Sequence, residues 1–317
     1  MYRIDLHCDT MTMLRKKETL AQSHCSVTLE NLKQSETLLQ CFAAFIPTGY
    51  FPPFLRKDLT RRLFADIHKK YTETLKTYRN DLYPVRKYED LEQCRKERKT
   101  GALLTLEDGG ILGEDPEDIE KFYRKGVRLV TLTWNTENPI GYPRSSDAEK
   151  MQRGLKPYGF VVLEEMERLG MAVDVSHLSD GGFRDVMAHC KKPVLASHSN
   201  ARSVQNHPRN LTDEMIRAIS EKGGIIGLNF GPEFLSDRKG NHVADIVHHI
   251  RHIYQVGGED VLAFGSDFDG IKGCEEVKNP CDCEKIYEAL KKEAGFSDAV
   301  LEKLWWKNAD RYFCSVL

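Results

Sequence analysis

The chain lacks several things, and each shortage removes a class of protein. It has no basic excess: 46 Lys+Arg stand against 48 Asp+Glu, a formal net charge of −2. Nucleic-acid binders normally carry a basic excess or stripe, so no nucleic-acid partner is expected. It has no long apolar run. The longest, Leu38–Pro47, is broken by Gln40 and falls far short of the ~18 residues a spanning helix needs, so no membrane partner is expected. Nothing resembles a signal peptide, because Tyr2-Arg3-Ile4-Asp5-Leu6-His7 places charges where an apolar h-region would stand. The nine cysteines are odd in number and scattered, which reads as reduced thiols rather than a disulfide framework. Together these features predict a cytoplasmic protein. With 40% hydrophobic and 30% charged residues, disorder is excluded as well.

What is present is an alternation. Short β-rich runs occur at Tyr2–Asp9, Leu38–Pro47, Gly101–Glu107, Val127–Trp134, Met171–His177, Pro193–His198, Gly224–Phe230 and Val261–Asp267. Amphipathic stretches such as Leu59–Tyr78, Pro116–Lys125, Tyr158–Leu169, Leu211–Glu221 and Val243–Val256 lie between them. Strands alternating with helices imply parallel βα units, and eight units most naturally close into a (β/α)8 TIM-like barrel. Asp115-Pro116 and Thr212 read as helix starts, and Gly223-Gly224 as a helix stop. Two insertions, Gly49–Arg86 and Pro139–Gly154, interrupt the pattern, the second being a polar loop expected over the mouth. Two last helical stretches, Cys283–Ala294 and Asp298–Phe313, predict a C-terminal helical extension capping a single domain that spans residues 1–317.

The chemistry follows from position. In a (β/α)8 barrel the strand C-termini converge on the face that carries active sites. Five of the eight expected strands end in a metal-competent or titratable residue: His7 with Asp9, Glu107, His177, His198 and Asp267. His7 and Asp9 stand at i,i+2 and share a side of the strand end, with Cys8 turned away into the barrel wall. His7, Asp9 and Glu107 would supply one metal with three ligands; Glu107, His177 and His198 would supply a second. A carboxylate bridging two ions is how two-metal hydrolytic sites are built, and such ions lower the pKa of a shared water and polarise a substrate carbonyl. Histidine and carboxylate ligands without thiolates suit Zn2+, with Mn2+ or Co2+ also compatible. Asp267 is placed to carry a proton from the attacking water to a leaving amine. Any one of these residues alone is a weak signal; their joint occurrence at strands one, three, five, six and eight is not.

Ile4-Asp5-Leu6-His7-Cys8-Asp9-Thr10, Glu107-Asp108-Gly109-Gly110, Asp174-Val175-Ser176-His177, Ser197-His198-Ser199-Asn200-Ala201-Arg202 and Gly265-Ser266-Asp267-Phe268-Asp269-Gly270 occur in the order and spacing of the renal (membrane) dipeptidase family, peptidase family M19. The sequence resembles that family over nearly its whole length, as a soluble, bacterial-type member. The resemblance implies a binuclear-zinc barrel that hydrolyses dipeptides, often with a D-residue at the C-terminal position. It implies the ligand sets above, Glu107 and Asp267 as catalytic residues, and Arg209 beside the substrate carboxylate, a role suited to a guanidinium fork. It also suggests a homodimer. One position departs. After the fourth strand, mammalian relatives carry a histidine that contacts the substrate and the developing oxyanion, whereas Leu132-Thr133-Trp134-Asn135-Thr136 places Trp134 there. An indole N–H donates one hydrogen bond and cannot become cationic. Trp134 and Asn135 are therefore expected at the substrate, or Trp134 simply packs at the strand end.

Two alternatives stay open: an amidohydrolase-type enzyme acting on another small amide, lactam or lactone, and a catalytically silent metal-binding homologue. Other metal-like patterns read as structural. His248 and His252 stand at i,i+4 but precede the eighth strand, on the outer ring, and Cys274 with Cys281 and Cys283 lacks zinc-knuckle spacing.

Overall fold

The computed structural model describes residues 1–292 and 294–317. Its strands are β1 (Arg3–Asp5), β2 (Thr37–Phe45), β3 (Leu82–Pro84), β4 (Thr100–Glu107), β5 (Val127–Thr131), β6 (Ala172–Asp174), β7 (Leu195–Ala196), β8 (Ile225–Leu228) and β9 (Leu262–Phe264). Every pairing between these strands is parallel. The chain of neighbours runs β1–β2–β4–β5–β6–β7–β8–β9 and back to β1, closing an eight-stranded barrel ringed by helices. All eight expected runs supply a barrel strand.

The ninth strand, β3, lies inside the first insertion, where no strand is predicted. It pairs only with the first residues of β4, Leu82 opposite Thr100 and Pro84 opposite Ala102, while β5 takes over from Leu104 onward. Only Leu82 of its three residues is buried, and it ends in proline, so it carries little apolar pattern. The same insertion forms the 22-residue helix Arg56–Thr77, whose Phe64, Ile67 and Tyr71 pack on the sheet. The helix starts hold: Asp115 accepts from Glu117 N–H ahead of Pro116, and Thr212 from Met215 N–H.

The buried apolar residues form two clusters. The larger joins the wall to the surrounding helices. The smaller contains Ile4, Leu39, Leu103, Leu129, Ala172, Leu195, Ile225 and Ala263, one residue from each barrel strand, together with Ala309, Tyr312, Phe313 and Val316. The last four belong to the C-terminal helix Asn308–Val316. Its Asn308 Nδ2 donates to Glu259 and Leu262 carbonyls, Arg311 Nη1 to that of Gly223, and Tyr312 Oη to that of Pro193, all at or just before strand starts. The helix therefore plugs the N-terminal mouth, as a capping extension should. The second expected stretch is observed as Asp298–Glu302, Lys303–Lys307 and Asn308–Val316, and the first as a helix over Cys283–Lys292; the rest of the first span includes Glu293, which lies outside the described residues.

Candidate metal centre

The opposite mouth gathers the predicted site residues. Glu107 is the last residue of β4, but His7, His177, His198 and Asp267 stand two or three residues beyond their strands. The chain has by then left the pleat: His177 has φ +65° and Asp267 φ +61°, left-handed conformations that are costly for non-glycine residues and typical of functional sites. The turn lets side chains from five strands meet. Cys8 turns away as expected, fully buried in the wall with its Sγ against Thr10 Oγ1.

Glu107 divides its two oxygens. Oε2 lies 3.6 Å from His7 Nε2, which is also 3.6 Å from Asp9 Oδ2 and 3.7 Å from Asp267 Oδ1. Oε1 lies 3.2 Å from His177 Nε2 and 3.5 Å from His198 Nε2, and those two nitrogens are 3.0 Å apart. Potential ligand atoms of His7, Glu107 and His198 lie within 4.8 Å of one another, as do those of His7, Asp9 and Asp267. Among the described residues, both His7 nitrogens and Asp9 Oδ1 are buried with no hydrogen-bond partner. Buried polar atoms are almost always paired, so these await a ligand, and the donor set fits a divalent metal.

Electrostatics agree. Burial first, then nearby positive charge (Arg209 for His177, His7 and then Arg209 for His198), holds both histidines well below the ordinary range, the neutral form a metal ligand needs. His7 moves the other way, to about 10; burial opposes this, but Glu107, Asp9 and Asp267 outweigh it. Burial drives Glu107 well above the carboxylate range and Asp267 to about 6, partly offset in both by His7. Three crowded carboxylates call for positive charge.

Supporting groups, which the sequence reading had not assigned, fix the ligands. Ser197 Oγ donates to Asp174 Oδ2 (2.5 Å) and accepts from His198 Nδ1 (2.6 Å), so the remaining nitrogen, Nε2, faces Glu107. Asn229 Nδ2 donates to Asp267 Oδ2 at 2.8 Å, leaving Oδ1 towards the ligands. Gly270 is a glycine for space: a Cβ there would overlap the carboxylates of Asp9 and Asp267.

A cavity of about 650 Å3 opens over the cluster, and Asp9, Glu107, His177 and Asp267 reach it. Trp134 and Asn135 line it too. The Trp134 ring is 4.7 Å from that of Phe45, 5.6 Å from that of Tyr50 and 6.3 Å from that of His177; Asn135 Oδ1 is 3.3 Å from His177 Nδ1. Arg209 stands a layer back and does not line the cavity. It is 4% exposed, with Nη1 donating to Ser199 Oγ and Nη2 to the His198 carbonyl, both at 2.7 Å. The guanidinium that does line the cavity is Arg144, in the loop predicted over the mouth; its backbone N–H donates to the His177 carbonyl at 2.7 Å. A larger cavity, about 1030 Å3, lies beside the starts of β2 and β4 and touches none of the candidate ligands. The weaker patterns are structural: His252 pairs with Asp213, and Cys274, Cys281 and Cys283 are free thiols.

Comparison with known proteins then places the chain in a family and confirms the fold. The family model described as membrane dipeptidase (peptidase family M19) matches residues 1–316. The chain belongs to that family. Membership makes it a metal-dependent dipeptidase by class, as the sequence resemblance implied. An uncharacterised protein in the pqqA 5′ region of Klebsiella pneumoniae is 35% identical over 69% of this chain and 83% of its own length. An uncharacterised dipeptidase of Schizosaccharomyces pombe is 32% identical over 86% of this chain and 71% of its own. Among solved structures, a metallopeptidase from Rhodobacter sphaeroides, liganded with a phosphinate mimic of the dipeptide L-Ala-D-Ala, is 22% identical. It superposes with a TM-score of 0.88 over 100% of this chain and 99% of its own, a likeness of fold. Among the described residues, no helix is long and apolar enough to cross a membrane.

Proposed function

We propose that this family member hydrolyses dipeptides at a binuclear zinc centre, tolerating a D-residue at the C-terminal position. The division of Glu107 between His7 on one oxygen and His177 with His198 on the other carries the reading. His7, Asp9 and Glu107 would hold one ion, and Glu107, His177 and His198 the other. When bound, the pair would supply an activated water and a polarised carbonyl. The rest falls to the chain. Asp267 Oδ1, the oxygen Asn229 does not hold, takes a proton from the nucleophile and returns it to the leaving amine. Its lift to about 6 suits proton transfer near neutrality. Arg209 supplies the positive charge for the substrate α-carboxylate from behind His198, while Trp134 and Asn135 bound the side-chain space. The tolerance for a D-residue draws support from the Rhodobacter sphaeroides neighbour, whose ligand mimics L-Ala-D-Ala.

The test is hydrolysis of matched L-Xaa-L-Xaa and L-Xaa-D-Xaa dipeptides by zinc-loaded protein, with Asp267→Asn beside it. The expected result is turnover that the variant lowers about 10²–10⁴-fold while still binding two zinc ions. A variant that loses an ion as well would make Asp267 a ligand rather than a proton carrier. Two bound ions without turnover of any dipeptide would move the assignment to another small amide, lactam or lactone.

A further inference from the structure

Charge is unevenly placed around the cavity. Asp9, Asp267 and Asp269 line it on the side of His7. Its lining also includes Glu107, Lys272 and Glu233, the last being the carboxylate whose charge acts most on Arg144. On the side of His177 and His198 stand two guanidiniums, each tied to the backbone of one of those histidines: Arg144 through its own N–H to the His177 carbonyl, Arg209 through Nη2 to the His198 carbonyl. Neither has a carboxylate within salt-bridge distance among the described residues. Arg144 has no side-chain hydrogen bond there at all, and the Nε atoms of both are buried without a partner. Arg144 is half-buried, and Arg209 is buried with Ser199 Oγ and the His198 carbonyl as its acceptors; of the other arginines, buried Arg3 is paired with Asp5 and Thr37, and buried Arg128 with three carbonyls. A partly desolvated guanidinium with no carboxylate beside it is costly unless an anion arrives with the ligand.

Two guanidiniums without a carboxylate in salt-bridge distance, Arg144 lining the cavity and Arg209 directly behind His198, suit two carboxylates at one end of the substrate. We infer that Arg144 is a specificity residue that binds a side-chain carboxylate on the C-terminal residue of the dipeptide, so that the preferred substrates end in aspartate or glutamate. This rests on the dipeptidase reading above, in which Arg209 serves the α-carboxylate. The acidic end, beside His7, then receives the substrate's N-terminal ammonium. A planar guanidinium binds a carboxylate bidentately, which favours the acid over its isosteric amide.

The experiment compares kcat/KM for L-Ala-Asp and L-Ala-Asn, with the C-terminal residue in each configuration, on wild type, Arg144→Gln and Arg144→Lys. The acid-to-amide ratio cancels any general effect of the substitution, and the loop's anchor survives because it is the backbone N–H that binds His177. Wild type should favour the acid by about tenfold or more. Arg144→Gln should bring the ratio close to one, and Arg144→Lys should restore part of it. A wild-type ratio near one, or a ratio unchanged in Arg144→Gln, overturns the inference. So does an equal loss on acid and amide, which would make Arg144 the α-carboxylate receptor. Calorimetric binding of N-acetylaspartate against N-acetylasparagine separates this from failure of the dipeptidase reading. If no dipeptide is cleaved but N-acetylaspartate still binds preferentially in an Arg144-dependent way, the second carboxylate site stands and the substrate class falls. Equal binding of the two probes sinks the site itself.

Discussion

His198 shows how much of a candidate metal ligand's behaviour is decided one residue away. Its imidazole could present either nitrogen, and Ser197 removes the choice. The Ser197 hydroxyl spends its proton on Asp174 Oδ2, so it can only accept from His198 Nδ1, and Nε2 is left bare towards Glu107. Asp174 is itself fully occupied by Thr131, Ser176 and Ser197, a fixed acceptor at the foot of the relay. Partners of this kind typically contribute ten- to a hundredfold to metal affinity. Ser197→Ala should therefore weaken zinc binding at the His177–His198 side by about 10–100-fold. Competition against a chromogenic chelator would measure it, and two ions held as tightly as in wild type would show that packing alone orients His198.

At the scale of elements, the barrel was legible because its strands are buried on both faces and read as short apolar runs between charged helices. The residues of the candidate centre were legible by type and place, since histidines and acids cluster at the ends of those runs. What was hidden has physical reasons. The positive φ values of His177 and Asp267 carry no glycine to mark them, so how far beyond the strands the ligands would stand could not be foreseen. Arg144 sits in a polar loop, and nothing in composition separates a guanidinium turned inward from one facing water. The segment Val247-His248-His249-Ile250 raised the opposite question, a histidine cluster with no metal role, and the helix Val243–Gly257 answers it. His249 is fully buried; its Nδ1 accepts from Ala201 N–H at 3.1 Å and its Nε2 donates to the Leu235 carbonyl at 2.9 Å. A second proton would set an N–H against the Ala201 N–H. Burial is the main reason its pKa falls from 6.5 to about 4, despite the Leu235 bond that opposes it. In the unfolded chain it titrates near 6.5, so between the two values only the unfolded state binds the proton. The contribution is whole above about pH 6.5 and is lost as the pH falls towards 4, on the order of 3 kcal/mol at most. Urea unfolding from pH 4 to 7 should show a shallower slope in His249→Gln than in wild type. Parallel slopes would mean that His249 does not carry this linkage.

On the scale of the whole molecule, the chain assigns stability and chemistry to opposite mouths of one barrel, a division common to the fold. The ligand mouth holds strained backbone, crowded carboxylates and unpaired nitrogens, all of which oppose folding. The plugged mouth holds the smaller apolar cluster, to which all eight barrel strands and the C-terminal helix contribute. Tyr312 is the pivot of that plug: it is fully buried, its ring is 5.6 Å from Phe313, and its hydroxyl reaches the Pro193 carbonyl. Removing it leaves a cavity against strand starts that cannot collapse without opening the barrel. Tyr312→Ala should destabilise the protein by about 3–5 kcal/mol, as large aromatic truncations in cores do. Because the barrel's full length separates Tyr312 from Glu107, the variant should keep wild-type zinc stoichiometry and dipeptide kcat/KM at temperatures where it remains folded. Denaturant midpoints alongside kinetics at low temperature would check both halves. A loss of activity matching the loss of stability would mean that the two mouths are coupled through the strands, and that the plug helps to set the geometry of the site.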